Sequence, residues 1–241
     1  MKKLLMGGIV VSLALSGCST ESAKESSGEK EVNKVEDIKE NKKEDRQIQG
    51  SQMNPQVQSR YTVAMNSVEG ETYTLHVFAN NEEHETQKEA WVGAQEGDQI
   101  YKGEYQLALQ STSATLYLQE AQIGEFVFNT SRKNGFVSKG TPDFFIALQR
   151  ESSNLSTAKV FYIHKGKVMK VKFGEGDLGI AGTCFKTLDK GKFLIGNYDN
   201  GEGMWYFSTF QTNLDTGEAK QIDEKKLPLE EGKTYVEENF K

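Results

Sequence analysis

Gly174-Glu175-Gly176-Asp177-Leu178-Gly179 has the G-x-G-x-x-G spacing that brings a backbone close to phosphate. That chemistry needs a helix directly afterwards, because the helix N-terminus holds the anion. Here Ile180-Ala181-Gly182-Thr183 leads into another strand-like run, and Glu175 and Asp177 would repel phosphate. The run therefore reads as a connection between strands. Cys184 could be a nucleophile only beside a base in an electropositive setting. It stands in the apolar run Thr183-Cys184-Phe185, which reads as core. His76, His84 and His164 lack the short helical spacing of a zinc site. Asp199-Asn200-Gly201-Glu202 offers oxygen ligands at a glycine turn, but the twelve-residue calcium-loop pattern is absent. No stretch names a catalytic, cofactor-binding or metal-ligating set.

Aromatic residues are the remaining candidates. Exposed rings can form a platform for a sugar or peptide, and buried rings simply fill a core. Trp91 and Tyr198 fall near the ends of strand-like runs, so they are the aromatics expected to reach solvent. With Asp199, Asn200 and Glu202 they form the set of expected ligand-facing residues.

These residues lie in a region with a consistent pattern. From Tyr61 onward, short runs of aromatic and β-branched residues alternate with Gly, Asn and Asp. Lys165-Gly166, Lys190-Gly191, Asn200-Gly201 and Thr216-Gly217 are hairpin signals between such runs. No long window keeps a helical period, so the body is expected to be all-β.

The strands group into four antiparallel units of four. Their expected ranges are 61–67, 72–79, 90–94 and 99–102; then 105–110, 114–119, 125–129 and 135–137; then 144–149, 158–164, 167–173 and 183–188; and finally 193–198, 204–211, 218–222 and 234–239. Phe144-Phe145-Ile146-Ala147-Leu148 is apolar at every position, which predicts a strand covered on both faces. Met169, Val171 and Phe173 alternate with Lys170 and Lys172, as an outer strand should. The unit spacing and polarity loosely resemble β-propeller repeats, which implies stacked blade-like sheets. A two-sheet β-sandwich is the alternative.

The N-terminus carries an address. Lys2 and Lys3 precede a 12-residue apolar run from Leu4 to Leu15, too short to span a bilayer but suited to a secretory signal. The run closes on Leu15-Ser16-Gly17-Cys18, which resembles the lipobox of bacterial prolipoproteins. The resemblance implies a signal peptide over 1–17 and a diacylglycerol thioether on Cys18, which becomes the mature N-terminus. Acyl chains then hold the protein on a membrane, at about 0.8 kcal/mol per buried CH₂. Removing Lys2 and Lys3 takes the charge from −6 to 27 − 35 = −8, so anionic lipid would not attract the chain electrostatically.

Residues 18–60 read as a disordered, lipidated linker, rich in Glu, Lys, Ser, Asn and Gln and without an aromatic residue. Residues 61–241 form the β-rich globular domain. The acidic balance argues against a nucleic-acid partner, which would call for a basic face. The expected protein is a lipid-anchored envelope module on the extracytoplasmic face, and its Lys/Glu-rich spacer suits a Gram-positive surface. Its ligand would be an envelope protein, a glycan or a small molecule. An enzyme with a scattered site and a structural assembly lipoprotein are the competing classes.

Overall fold

The computed structural model describes residues 48–53, 58–152, 155–174 and 176–240. The chain divides into two units, Met1–Lys43 and Glu44–Lys241, and every described residue lies in the second. The lipobox with Cys18, and Glu175 of the glycine run, fall outside the described residues.

The described chain is antiparallel β-structure with one helix. Its strands form three sheets of six, five and four strands. The first contains β1 (Ser51–Met53), β2 (Tyr61–Asn66), β3 (Thr72–Phe78), β4 (Glu83–Thr86), β5 (Gln99–Gln110) and β6 (Leu116–Asn129), in the order β1-β6-β5-β3-β2 with β4 also on β5. The second contains β7 (Gly135–Ser138), β8 (Phe144–Arg150), β9 (Ser156–His164), β10 (Lys167–Lys170) and β11 (Leu178–Ile180). The third runs β12 (Phe185–Thr187), β13 (Lys192–Asp199), β14 (Met204–Thr212), β15 (Ala219–Pro228), and helix α1 (Leu229–Asn239) follows it.

The second sheet is the middle layer. Phe145 and Ala147 of β8 pack into one core with Leu75, Leu107 and Phe128 of the first sheet. Phe144, Ile146 and Leu148 point the other way, into a second core with Phe193 and Ile195 of the third. The unbroken apolar run of β8 follows from this, since both of its faces are covered. β10 is an edge strand, with Val168 in the first core and Met169 against the second.

Two-residue turns make the tight hairpins possible. Lys165 and Gly166 have φ of 52° and 69°, and Lys190 and Gly191 have 57° and 74°. Such paired positive angles match the strand twist, and glycine adopts its share without strain.

Several expectations need correction. The four expected units become three sheets: the first two units merge, the strand at 135–137 joins the second sheet as β7, and that at 183–188 joins the third as β12. Gly103 and Gly124, which fall between expected strands, lie inside β5 and β6, opposite Phe126 and Tyr105. Register shifts near Tyr105 and Gln106 absorb the irregularity as bulges, so each strand continues. The expected strand at 90–94 is instead a tight loop closed by reciprocal backbone hydrogen bonds between Trp91 and Ala94, at 3.0 and 3.1 Å.

The expected strand at 234–239 is helical. Its β-branched and aromatic residues suggest extension, but Gly232, Tyr235 and Val236 recur on one helical face, and Phe240 caps the helix end. That face meets β14, where the Phe207 and Tyr235 ring centroids are 4.4 Å apart. Folded structure also begins before Tyr61. Ile48 is buried, and Ser51, Gln52 and Met53 pair with Leu118, Tyr117 and Leu116 of β6.

Candidate functional site

The three histidines do not converge. His76 sits between Ser59 Oγ at 3.1 Å and Gln110 Oε1 at 3.0 Å. His84 stacks on Tyr101 at 4.5 Å. His164 ends β9 and is held between carboxylates, with Nδ1 2.6 Å from Glu69 Oε1 and Nε2 3.0 Å from Asp215 Oδ1. Among the described residues, no group of three or more His, Cys, Asp and Glu side chains is arranged to hold a metal.

Cys184 is 7% exposed, and burial pushes its thiol up to about 11. That is the behaviour of a core residue rather than a nucleophile. The glycine run leads through Asp177 into strand β11, and Asp177 pairs with Lys170 at 3.2 Å.

The acidic loop at the β13–β14 turn is organised by its own side chain. Asp199 Oδ1 accepts hydrogen bonds from the Gly201 N–H at 2.7 Å and the Glu202 N–H at 3.1 Å. Glu202 is bonded by the Tyr206 hydroxyl. Asp199, Asn200 and Glu202 are exposed, while Tyr198 is half-buried and leans on Trp205 at 5.4 Å. These four residues share one hairpin of the third sheet. Trp91 is in the first sheet's β4–β5 connection, so the expected ligand-facing residues form two places rather than one.

Trp91 marks the better-formed of these. It is 51% exposed, and its neighbour Val92 is 48% exposed. The two side chains sit on a tongue between two adjoining hollows. One, of about 400 Å³, is lined by Trp91, Gln95, Arg132 and Arg150, among others. The other, of about 160 Å³, adds Asn134, Gln149 and Glu151. The larger falls within the usual range of small-ligand sites.

The tongue is held in place from several sides. Reciprocal backbone bonds close it, and the Trp91 indole N–H donates to Gln87 Oε1 at 2.9 Å. The indole's polar edge is thereby occupied, leaving its face for contact. Gly93 lets the tongue approach β8, because a Cβ there would lie 2.8 Å from Arg150 Cβ. Behind the tongue, buried Asn129 donates to Gly93 O at 3.1 Å and to Asp98 Oδ2 at 2.7 Å. Arg132 Nε donates to the same Asp98 oxygen at 2.9 Å. Asn129, then the Gln95 N–H, and then Arg132 hold the Asp98 carboxyl below its ordinary range.

Trp91 was legible in the sequence as an aromatic near a strand end. Arg132 and Arg150 were not singled out. Their signal was rarity: the chain has four arginines, and these two line one cleft although 18 residues separate them. No family model, curated protein or solved structure matches the chain.

Proposed function

We propose that this protein is a lipid-anchored binding module, carried outside the cytoplasmic membrane on Cys18 and engaging a ligand of the envelope through the Trp91 cleft. The single observation that carries the binding role is the half-exposed indole on a braced tongue between two hollows. Trp91 and Val92 together present adjoining exposed apolar surface, and contiguous patches of that kind mark interaction sites. The bracing also lowers the ordering cost that a ligand would otherwise bear.

The anchor rests on Leu15-Ser16-Gly17-Cys18 and the apolar run before it. Thirty residues, 18–47, separate the lipidated position from Ile48 and would reach at most about 100 Å fully extended. That distance suits a site presented within or beyond a cell wall, and a Gram-positive surface fits best.

Two variants test the two parts separately. Cys18→Ser should leave the domain folded but no longer sedimenting with membranes; continued sedimentation would overturn the anchor. Trp91→Ala in the detergent-solubilised full chain should abolish co-sedimentation with delipidated envelopes. Undiminished co-sedimentation would remove the cleft from the binding role.

A further inference from the structure

We infer that the Trp91 cleft takes an acidic oligosaccharide, with a sugar ring on the indole face and its carboxylate in the larger hollow beside Arg132 and Arg150. This rests on the binding role proposed above and names the ligand class.

Three observations support it. First, the indole N–H is tied to Gln87, so recognition at Trp91 must use the ring face. A flat electron-rich face suits the apolar C–H side of a pyranose. Second, among the described residues the larger hollow is lined by two arginines and no carboxylate. Asp98 stands behind Arg132 and grips Nε, fixing the plane of the guanidinium. A fixed, planar, always-charged fork is the side chain best matched to a carboxylate. Third, the smaller hollow on the other side of Trp91 is different in character. It shares Arg150 but adds Glu151 and is otherwise amide-rich, so it offers an acid no net attraction and suits a neutral ring. The two compartments thus match a chain in which acidic and neutral sugars alternate.

The overall acidity of the protein sharpens this. In a chain of net charge −6, the larger hollow holds Arg150 together with Arg132, whose charge Asp98 offsets, and has no carboxylate among its described lining residues. It would draw an acidic ligand to the cleft while the rest of the surface repels it.

The test uses the detergent-solubilised full chain, with hyaluronan hexasaccharide as the alternating acidic probe and an N-acetylglucosamine hexamer as the neutral one. The chain has two tryptophans, so Trp205→Phe leaves Trp91 as the sole indole reporter. Calorimetry on the unsubstituted chain guards against damage from that change. The acidic hexasaccharide should shift Trp91 emission, and Trp91→Ala should weaken its binding by roughly ten-fold. Arg132→Gln should weaken it by roughly 10- to 100-fold while leaving neutral-sugar binding unaltered. Equal affinity for both probes, unaffected by Arg132→Gln, would overturn the acidic specificity. If neither probe binds but Trp91→Ala still abolishes envelope co-sedimentation, the sugar class is wrong and the binding role stands. If envelope co-sedimentation is also indifferent to Trp91, both fall together.

Discussion

His164 Nδ1 lies 2.6 Å from Glu69 Oε1, joining a turn of the first sheet to a turn of the second. Asp215, in the β14–β15 turn of the third sheet, meets the other ring nitrogen at 3.0 Å and Lys165 Nζ at 3.0 Å. The Lys165 N–H also reaches Glu69 Oε1 and Oε2 at 3.2 and 3.1 Å. One turn from each sheet therefore meets at a single imidazole. His164→Ala should cost about 1–3 kcal/mol of unfolding free energy, because Glu69 would lose one of its partners in a mostly buried position and Asp215 would lose its link to β9. Urea denaturation monitors this, and an unchanged midpoint would show that the three turns hold without it.

Acid should loosen the same part of the fold and one other. Burial alone would raise the Glu69 carboxyl, but hydrogen bonds from the Lys165 N–H, Ser67, its own N–H and His164 outweigh it and hold it below 4.5. Glu82 behaves likewise: burial is outweighed by Arg60 and by the Tyr105 hydroxyl, which donates to Glu82 Oε1 at 2.7 Å. A folded value below the unfolded one means that each ionised carboxylate contributes stability in full above about pH 4.5. That contribution is lost as pH falls through the depressed values. Melting temperature measured between pH 7 and pH 3 should fall mainly at the acid end. A flat profile would contradict the assignment.

The Arg60–Glu82 pair can be tested directly. Arg60 forms a two-pronged contact with Glu82 and lies over the Tyr101 ring at 3.3 Å. Tyr105 is fully buried beneath it. Glu82→Gln should destabilise the fold by about 2–4 kcal/mol, since it leaves a largely enclosed guanidinium without its counter-charge. Tyr105→Phe should cost only about 1 kcal/mol. Equal losses in the two variants would mean that the hydroxyl, not the charge pair, holds this corner.

Gly232 is where α1 touches the third sheet most closely. A Cβ there would overlap the Trp205 indole. Gly232→Ala should therefore destabilise by about 1–3 kcal/mol, although alanine is the better helix former. The accompanying red shift of Trp205 emission distinguishes a displaced helix from a general loss of fold.

Cys184 should resist alkylation in the folded state. Its thiol is buried and pushed up to about 11, so almost none is thiolate at neutral pH. Labelling by a maleimide should proceed at the rate at which the third sheet opens. Rapid labelling of the native chain would contradict this placement.

Local patterning carried much of the architecture. The run from Phe144 to Leu148 announced a two-sided strand, and Lys165-Gly166 announced a hairpin. Sheet membership was not local. Gly103 and Gly124 look the same in sequence whether they end a strand or pass through a bulge, and only cross-strand pairing decides. Helix α1 was missed because Thr234, Tyr235 and Val236 carry strand propensity, which packing against Phe207 and Trp205 overrides. At the cleft, Trp91 was visible as an aromatic near the end of a strand-like run. Arg132 and Arg150 become its neighbours only once the first two sheets stack.

The pairing of β1 with β6 has a mechanical consequence. Tension applied from the N-terminal side loads residues 48–53 before it reaches Tyr61. The ladder pairs of Ser51 with Leu118, Gln52 with Tyr117 and Met53 with Leu116 resist it there, after the Gln49 N–H bond to Gly166 O at 3.0 Å, the Gln119 amide on Gln49 O at 2.7 Å and the burial of Ile48. They can peel away one after another while β6 keeps its partner on the other side, β5. β1 thus works as a fuse: a sharp pull unzips a short hem and leaves the rest of the fabric whole.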